Sequence, residues 1–168
     1  MDLFETSLND LYFNIVTGFP NSRFRESATQ PIKITSITWL PFLGMKTLYI
    51  QGLAQNENRA YNPIILFKNV KFQLNEAPKT VSLKASDGKR YYLETLSLDQ
   101  DVTVRCNCKD FYWRMHHYNK LDNCLYGKDR KKYESLNKKP PANPLEVSGM
   151  CKHIMKLLQA VQHANLLV

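Results

Sequence analysis

Two short pairs of soft ligands constrain this chain more than anything else in it: Cys106-Asn107-Cys108 and, well downstream, Cys151-Lys152-His153. Each pair has a single residue between its members. A strand points alternate residues the same way, so Cys106 and Cys108, which share parity with Val102 and Val104, are expected to face one metal from an extended segment. Thr103, Arg105, Asn107 and Lys109 take the other parity. Cys151 and His153 come just before an apolar helical run, where a tight turn into the helix aims both at the same point. Thiolates together with an imidazole suit zinc, whereas calcium and magnesium want oxygen. The expectation is one tetrahedral zinc. The competing reading, four cysteines scattered as small buried hydrophobes, leaves the double pairing unexplained.

Cys124 keeps the ligand set open. It lies between the two pairs, with His116 and His117 nearby, and on residue type alone it can replace Cys108 or His153, or stay a free thiol. Paired ligands on rigid elements lose less entropy on binding than a lone loop cysteine, which favours the two pairs. His116 and His117 sit on the aromatic, helix-compatible run Asp110 to Tyr118 and read as packing or surface residues. His163 falls on the polar face of the last helix.

The pattern Cys-x-Cys, a long insert, then Cys-x-His resembles the SWIM zinc finger. Cys106-Asn107-Cys108-Lys109-Asp110-Phe111-Tyr112-Trp113-Arg114, and Asn143-Pro144 followed by Gly149-Met150-Cys151-Lys152-His153-Ile154-Met155, are similar to a SWIM-like variant found in proteins of tailed phages and other large DNA viruses. The resemblance covers about residues 100–168. It implies metal ligation by Cys106, Cys108, Cys151 and His153, a structural zinc, and binding of protein or nucleic acid; it implies no reaction. The long insert is compatible with one site, because the entropy of loop closure grows only logarithmically with length.

Outside that region the texture is β. Ile32 to Leu40, Lys46 to Leu53, Ile64 to Leu74, Thr80 to Ala85, Tyr91 to Leu96 and Val102 to Cys108 are short, branched and aromatic-rich runs separated by Pro, Gly and Asn. They predict a mostly antiparallel sheet of about five or six strands. Asp87-Gly88 is a hairpin turn, since glycine accepts the positive φ of tight turns. Pro63 is expected to confine its strand to an edge. Phe4, Leu8, Leu11, Tyr12 and Ile15 recur at helical spacing until Gly18, and Ile154, Leu157, Leu158 and Val161 do so near the C-terminus. The last helix is expected to cover the zinc site and a sheet edge. The predicted fold is α+β, with residues 1–99 as a β-rich domain carrying an N-terminal helix and residues 100–168 as a zinc-stapled lobe.

A formal charge of +8, from 23 basic and 15 acidic residues, favours anionic partners. Lys128, Arg130, Lys131, Lys132, Lys138 and Lys139 crowd the stretch from Gly127 to Pro141 with Tyr126 and Tyr133 interleaved, a pattern suited to phosphates and stacking. That stretch reads as a mobile loop. With Arg105, Lys109 and Arg114 it forms the candidate nucleic-acid surface for DNA or RNA.

The chain has no 18-residue apolar run and no basic, apolar leader, so neither a membrane partner nor secretion is expected. Cysteines in metal-like spacing point to a reducing compartment. No Gly-rich phosphate loop or orienting group for a Cys–His pair is evident, so no enzymatic activity is expected. The leading expectation is a non-enzymatic, zinc-stabilised minor structural or assembly protein of a DNA virus particle. It would sit in the virion, or in host cytoplasm during assembly, with other virion proteins as partners and Phe4, Leu8 and Leu11 as docking anchors. A nucleic-acid-binding module is the alternative.

Overall fold

Alternation along the middle of the chain sets its sheets. In β2 (Thr47–Asn56) the side chains of Leu48, Ile50 and Ala54 are buried while Tyr49, Gln51 and Leu53 are only half-buried, the period-2 pattern of a strand with one face on a core. The computed structural model describes residues 5–19, 32–134 and 141–168, and it has the expected α+β architecture. β1 (Lys33–Phe42) pairs antiparallel with β2 across a short 3₁₀ turn. The other side of β2 holds β3 (Arg59–Tyr61) and β4 (Ile64–Phe67), and β4 pairs with β8 (Val102–Arg105), giving the order β1-β2-β4-β8.

The remaining strands form a second sheet: β5 (Phe72–Gln73), β6 (Thr80–Lys84) and β7 (Arg90–Glu94) in the order β5-β7-β6, again antiparallel. The expected single strand from Ile64 to Leu74 is therefore two. It breaks after Phe67, where Asn69 turns the chain at φ 55° and the Val70 N–H leaves the ladder for Lys46 O at 2.8 Å. The turn at Asp87-Gly88 is as expected. Gly88 has φ 83°, Asp87 accepts from the Lys89 N–H at 2.8 Å, and β6 and β7 close around it. Pro63 does not mark an edge: β4 is interior. Pro63 lies one residue before the strand, so its missing N–H costs the ladder nothing, while its carbonyl accepts from Gly52 N–H at 2.9 Å.

α1 (Leu8–Gly18) begins at a capping box that the hydrophobic spacing did not reveal. Ser7 Oγ accepts from Asp10 N–H, and Asp10 Oδ2 accepts from Ser7 N–H at 2.8 Å. Leu8, Leu11 and Ile15 are fully buried in the chain's own core. Leu8 and Leu11 are thus not docking anchors, and Phe4 lies outside the described residues. Tyr12, expected on the apolar face, is exposed.

The aromatic run after Cys108 is two helices, α2 (Lys109–Arg114) and α3 (His116–Leu121), with Met115 between them at φ −111°. α4 (Lys152–His163) packs across β1, β2 and β4. It buries Ile154, Met155, Leu157 and Val161, leaves Leu158 partly covered and turns His163 to solvent. It therefore covers the face of the sheet, not an edge. The free edge of β8 is covered by residues 124–126: Val104 N–H donates to Cys124 O at 2.8 Å and Tyr126 N–H to Val104 O at 3.0 Å. One cluster of buried side chains runs from α1 through β2, β4 and β8 to α4. No helix among the described residues is long and apolar enough to cross a membrane.

Candidate metal centre

Chain reversals at two helix starts converge on one buried point. β8 ends at Arg105, yet its inward parity carries past it: Cys106 and Cys108 are buried and Asn107 and Lys109 exposed, so both cysteines face one point from just beyond the strand. Asn107 turns out, exposed, and its Oδ1 accepts from the Asn62 N–H at 2.9 Å, tying the turn to the chain just ahead of β4. Cys108 is the N-cap of α2, where its Sγ accepts from the Phe111 N–H at 3.4 Å. Cys151 is the N-cap of α4 in extended geometry, and its sulfur makes no capping bond. His153 follows in the first turn.

The Sγ atoms of Cys106, Cys108 and Cys151 and one ring nitrogen of His153 lie within 4.8 Å of one another, and all four residues are buried. His153 Nδ1 is 3.8 Å from Cys106 Sγ and 3.9 Å from Cys151 Sγ. Tetrahedral bonds of about 2.3 Å to sulfur and about 2.05 Å to nitrogen put neighbouring donors roughly 3.5–3.8 Å apart, so the two Nδ1–Sγ distances lie near that spacing. The donor set and geometry fit a metal ion bound through three thiolates and Nδ1. The Tyr61 ring packs against the imidazole, with centroids 4.5 Å apart and planes tilted by 35°. His153 Nε2 is buried with no hydrogen-bond partner.

The protonation pattern of the trio is that of crowded thiols. Cys108 is held well below the usual thiol range by hydrogen bonds from Cys106 and Cys151, helped by His153 and the Phe111 N–H. Cys106 is driven up chiefly because it donates to Cys108, and Cys151 by burial. A cation would make all three thiolates favourable.

Cys124 resolves as a non-ligand. It is fully buried among Thr6, Ser148 and Asp122 and lies outside the cluster, with its thiol pushed up to about 12 mainly by burial. His116 and His117 are outside it as well. His116 is buried, with Nδ1 against Tyr112 O and Nε2 at 2.9 Å from Arg130 O.

Two asparagines set the return path to Cys151, and neither carries a motif that spacing rules detect. Asn143 Nδ2 donates to Arg114 O at 2.8 Å and to Val147 O at 2.7 Å. Asn119, fully buried, exchanges hydrogen bonds with Gly149.

The candidate nucleic-acid residues divide. Arg105 is spent on the protein: its guanidinium donates to Tyr126 O at 2.9 Å and Lys128 O at 2.7 Å. Arg114 is engaged by Asp110 at 3.0 Å. Lys109, Lys128, Arg130, Lys131 and Lys132 are exposed. Lys138 and Lys139 lie outside the described residues. The stretch read as a mobile loop is, over residues 127–134, laid along α2 and α3. Arg105 and His116 hold its carbonyls, Arg130 stands 5.8 Å over the Tyr112 ring and Lys132 the same distance from Tyr118. Comparison with known proteins gives no further guide: no family model, no curated protein and no solved structure matches this chain.

Proposed function

We propose that this chain is a non-enzymatic, zinc-stapled module that binds nucleic acid through the cationic face of α2, α3 and residues 127–134. The observation that carries it is the pinning of that segment. Its carbonyls are consumed by Arg105 and His116, so Lys128, Arg130, Lys131 and Lys132 are displayed on a fixed track beside Lys109 and do not trail in solvent. Preorganised cations lose less entropy on meeting phosphates than a loose tail does. Cys106, Cys108, Cys151 and His153 would hold the zinc, whose part is to lock the starts of α2 and α4 together beneath that track; three soft thiolates and an imidazole make zinc the best-matched ion. The resemblance to SWIM fingers agrees with a structural metal and a binding role.

The test is a salt series. Affinity for labelled oligonucleotides should fall linearly with log salt, with a slope of about −0.7 to −0.9 per phosphate engaged, and replacing Lys128, Lys131 and Lys132 by alanine should flatten it. Salt-independent binding, or none at low ionic strength, overturns the reading.

Assembly into a DNA virus particle is the second reading. It is favoured by Tyr12, Phe13 and Val16, which leave an apolar stripe of α1 at 46%, 65% and 47% exposure. Its measure is whether the chain co-purifies as a component of particles, and whether Phe13→Ser abolishes incorporation.

A further inference from the structure

The cationic track borders a cleft whose lining mixes aromatic rings with charges of both signs. The cleft, about 270 Å³, is lined by Trp113, His117, Tyr118, Tyr133, Glu134 and Glu146 among others. Trp113 and Tyr133 are large rings left 44% and 42% exposed, and they lie against each other with centroids 5.5 Å apart at 31°. Cations stand around this aromatic surface. The Lys109 ammonium is 5.9 Å from the Trp113 ring and Lys132 5.8 Å from Tyr118.

The cleft lining sets one cation, Lys132, beside two exposed carboxylates, Glu134 and Glu146, so a bare phosphate is not matched there. Those carboxylates instead accept from ring N–H and amino groups. The arrangement thus asks for a ligand that is flat, carries hydrogen-bond donors on its edge and is strung on an anionic backbone. A nucleobase meets all three requirements, but only when unpaired: in a duplex its faces are covered by neighbours and its edge is used by its partner.

We propose that this cleft receives an unpaired base of single-stranded nucleic acid, stacked on the Trp113–Tyr133 surface, with the flanking phosphates on Lys109, Arg130 and Lys132. The inference rests on the nucleic-acid reading above and narrows it to single strands. Stacking is tolerant of base identity, so the preference is for strandedness and not for sequence. Lys132 lines the cleft itself, and Lys109 stands by the Trp113 ring that also lines it.

The test uses the full, zinc-loaded chain and three fluorescent probes of equal length at low salt: oligothymidine, oligouridine and a DNA duplex. Wild type should bind the single strands more tightly than the duplex, and the two single-stranded probes report which sugar is favoured. Trp113→Ala and Tyr133→Ala should each weaken single-strand binding by about tenfold, the loss of one stacking contact, while duplex binding changes little and zinc content stays at the wild-type level. Because Trp113→Ala can disturb α2, a second measurement leaves the ring in place: in a Trp39→Phe background, oligothymidine should quench the emission of Trp113. Duplex binding as tight as single-strand binding, or no quenching and no effect of Tyr133→Ala, overturns this inference while leaving the nucleic-acid reading intact. Absence of binding to all three probes overturns both.

Discussion

Asn119 and Gly149 exchange two hydrogen bonds: Asn119 Nδ2 donates to Gly149 O, and Gly149 N–H donates to Asn119 Oδ1, each at 2.8 Å. A side-chain amide here imitates one rung of a β-ladder, and it does so two residues before Cys151. Asn119 O also accepts from Cys124 N–H at 2.8 Å. One buried residue of α3 therefore fixes both the approach to the second ligand pair and the strap that covers β8. Asn119→Ala leaves Gly149 N–H and O buried without partners, at about 1–3 kcal/mol each. Urea unfolding of the zinc-loaded protein should show that loss, and chelator competition should show weaker metal retention, because Cys151 is no longer held. Unchanged metal retention would mean that Cys151 is positioned by α4 alone.

Gly149 is also where three elements meet most closely. A Cβ there would lie 2.6 Å from Ile15 Cδ1 and 2.8 Å from Met115 Sδ. Gly149→Ala should cost about 1–3 kcal/mol by overpacking. Ile15→Val removes the closer of the two clashing atoms, so the double variant should be more stable than the sum of the single effects predicts. Strict additivity in thermal unfolding would show that α1 yields without cost.

The metal prediction separates the four cysteines into three and one. The chain should bind one zinc ion, and Cys151→Ser or His153→Ala should lower elemental zinc per chain while Cys124→Ser leaves it unchanged. Cys124, with its thiol pushed up to about 12 by burial, should resist alkylation at neutral pH, since the thiolate is the reactive form. Rapid labelling of Cys124 in the zinc-loaded protein would contradict its placement in the core.

The ligand pairs were legible because their chemistry and spacing are local. What brings them together was only partly so. Strand parity correctly put Val102, Val104, Cys106 and Cys108 inside, but the strand expected to carry all four ends at Arg105, and beyond it Asn107 is tied to Asn62. The division into two sheets falls at Asn69, whose left-handed conformation is one that asparagine adopts readily, a single polar signal outweighed by the apolar residues on either side. Asn119 and Asn143 were invisible for a related reason: a buried asparagine acts through backbone groups distant in sequence, and no periodicity records that. The cationic stretch was visible as charge, whereas its anchoring depends on carbonyls that charge counting ignores.

At the β6–β7 hairpin, Tyr91 OH donates to Asp87 Oδ2 at 2.5 Å. That bond lowers the Asp87 carboxyl below its ordinary value and raises the Tyr91 phenol above its own. A depressed carboxylate stabilises the fold above its unfolded pKa and loses that contribution as pH falls through the folded value; a raised phenol loses its contribution as pH rises through its folded value. The bond is thus complete between the two ranges and lost at either end. NMR titration of Asp87 should give a pKa below that of a free aspartate, and Tyr91→Phe should raise it. An unshifted titration in the wild type would remove the bond.

His116 is the residue on which the order of the cationic segment most depends. Its two ring nitrogens face carbonyls of different elements, Tyr112 O in α2 and Arg130 O in the segment, and its ring stacks on Tyr112 at 4.9 Å. Arg105 holds the same segment two residues earlier, at Lys128. His116→Ala removes the tether at Arg130 and the stacking partner of Tyr112, leaving Arg105 at Lys128 and the Tyr112 hydroxyl, which donates to Lys131 O at 3.5 Å, as the remaining backbone holds. Residues 129–134 should then detach while α2, the metal ligands and the sheets persist. Limited trypsin digestion reads this directly, since Arg130, Lys131 and Lys132 are cleavable only when their backbone leaves the helices. The variant should be nicked there several-fold faster than wild type with its zinc retained. The freed track should also bind oligonucleotides more weakly, although every cation is still present. If His116→Ala is cut no faster than wild type, the segment is held by Arg105 and by its contacts with Tyr112 and Tyr118, and not by His116.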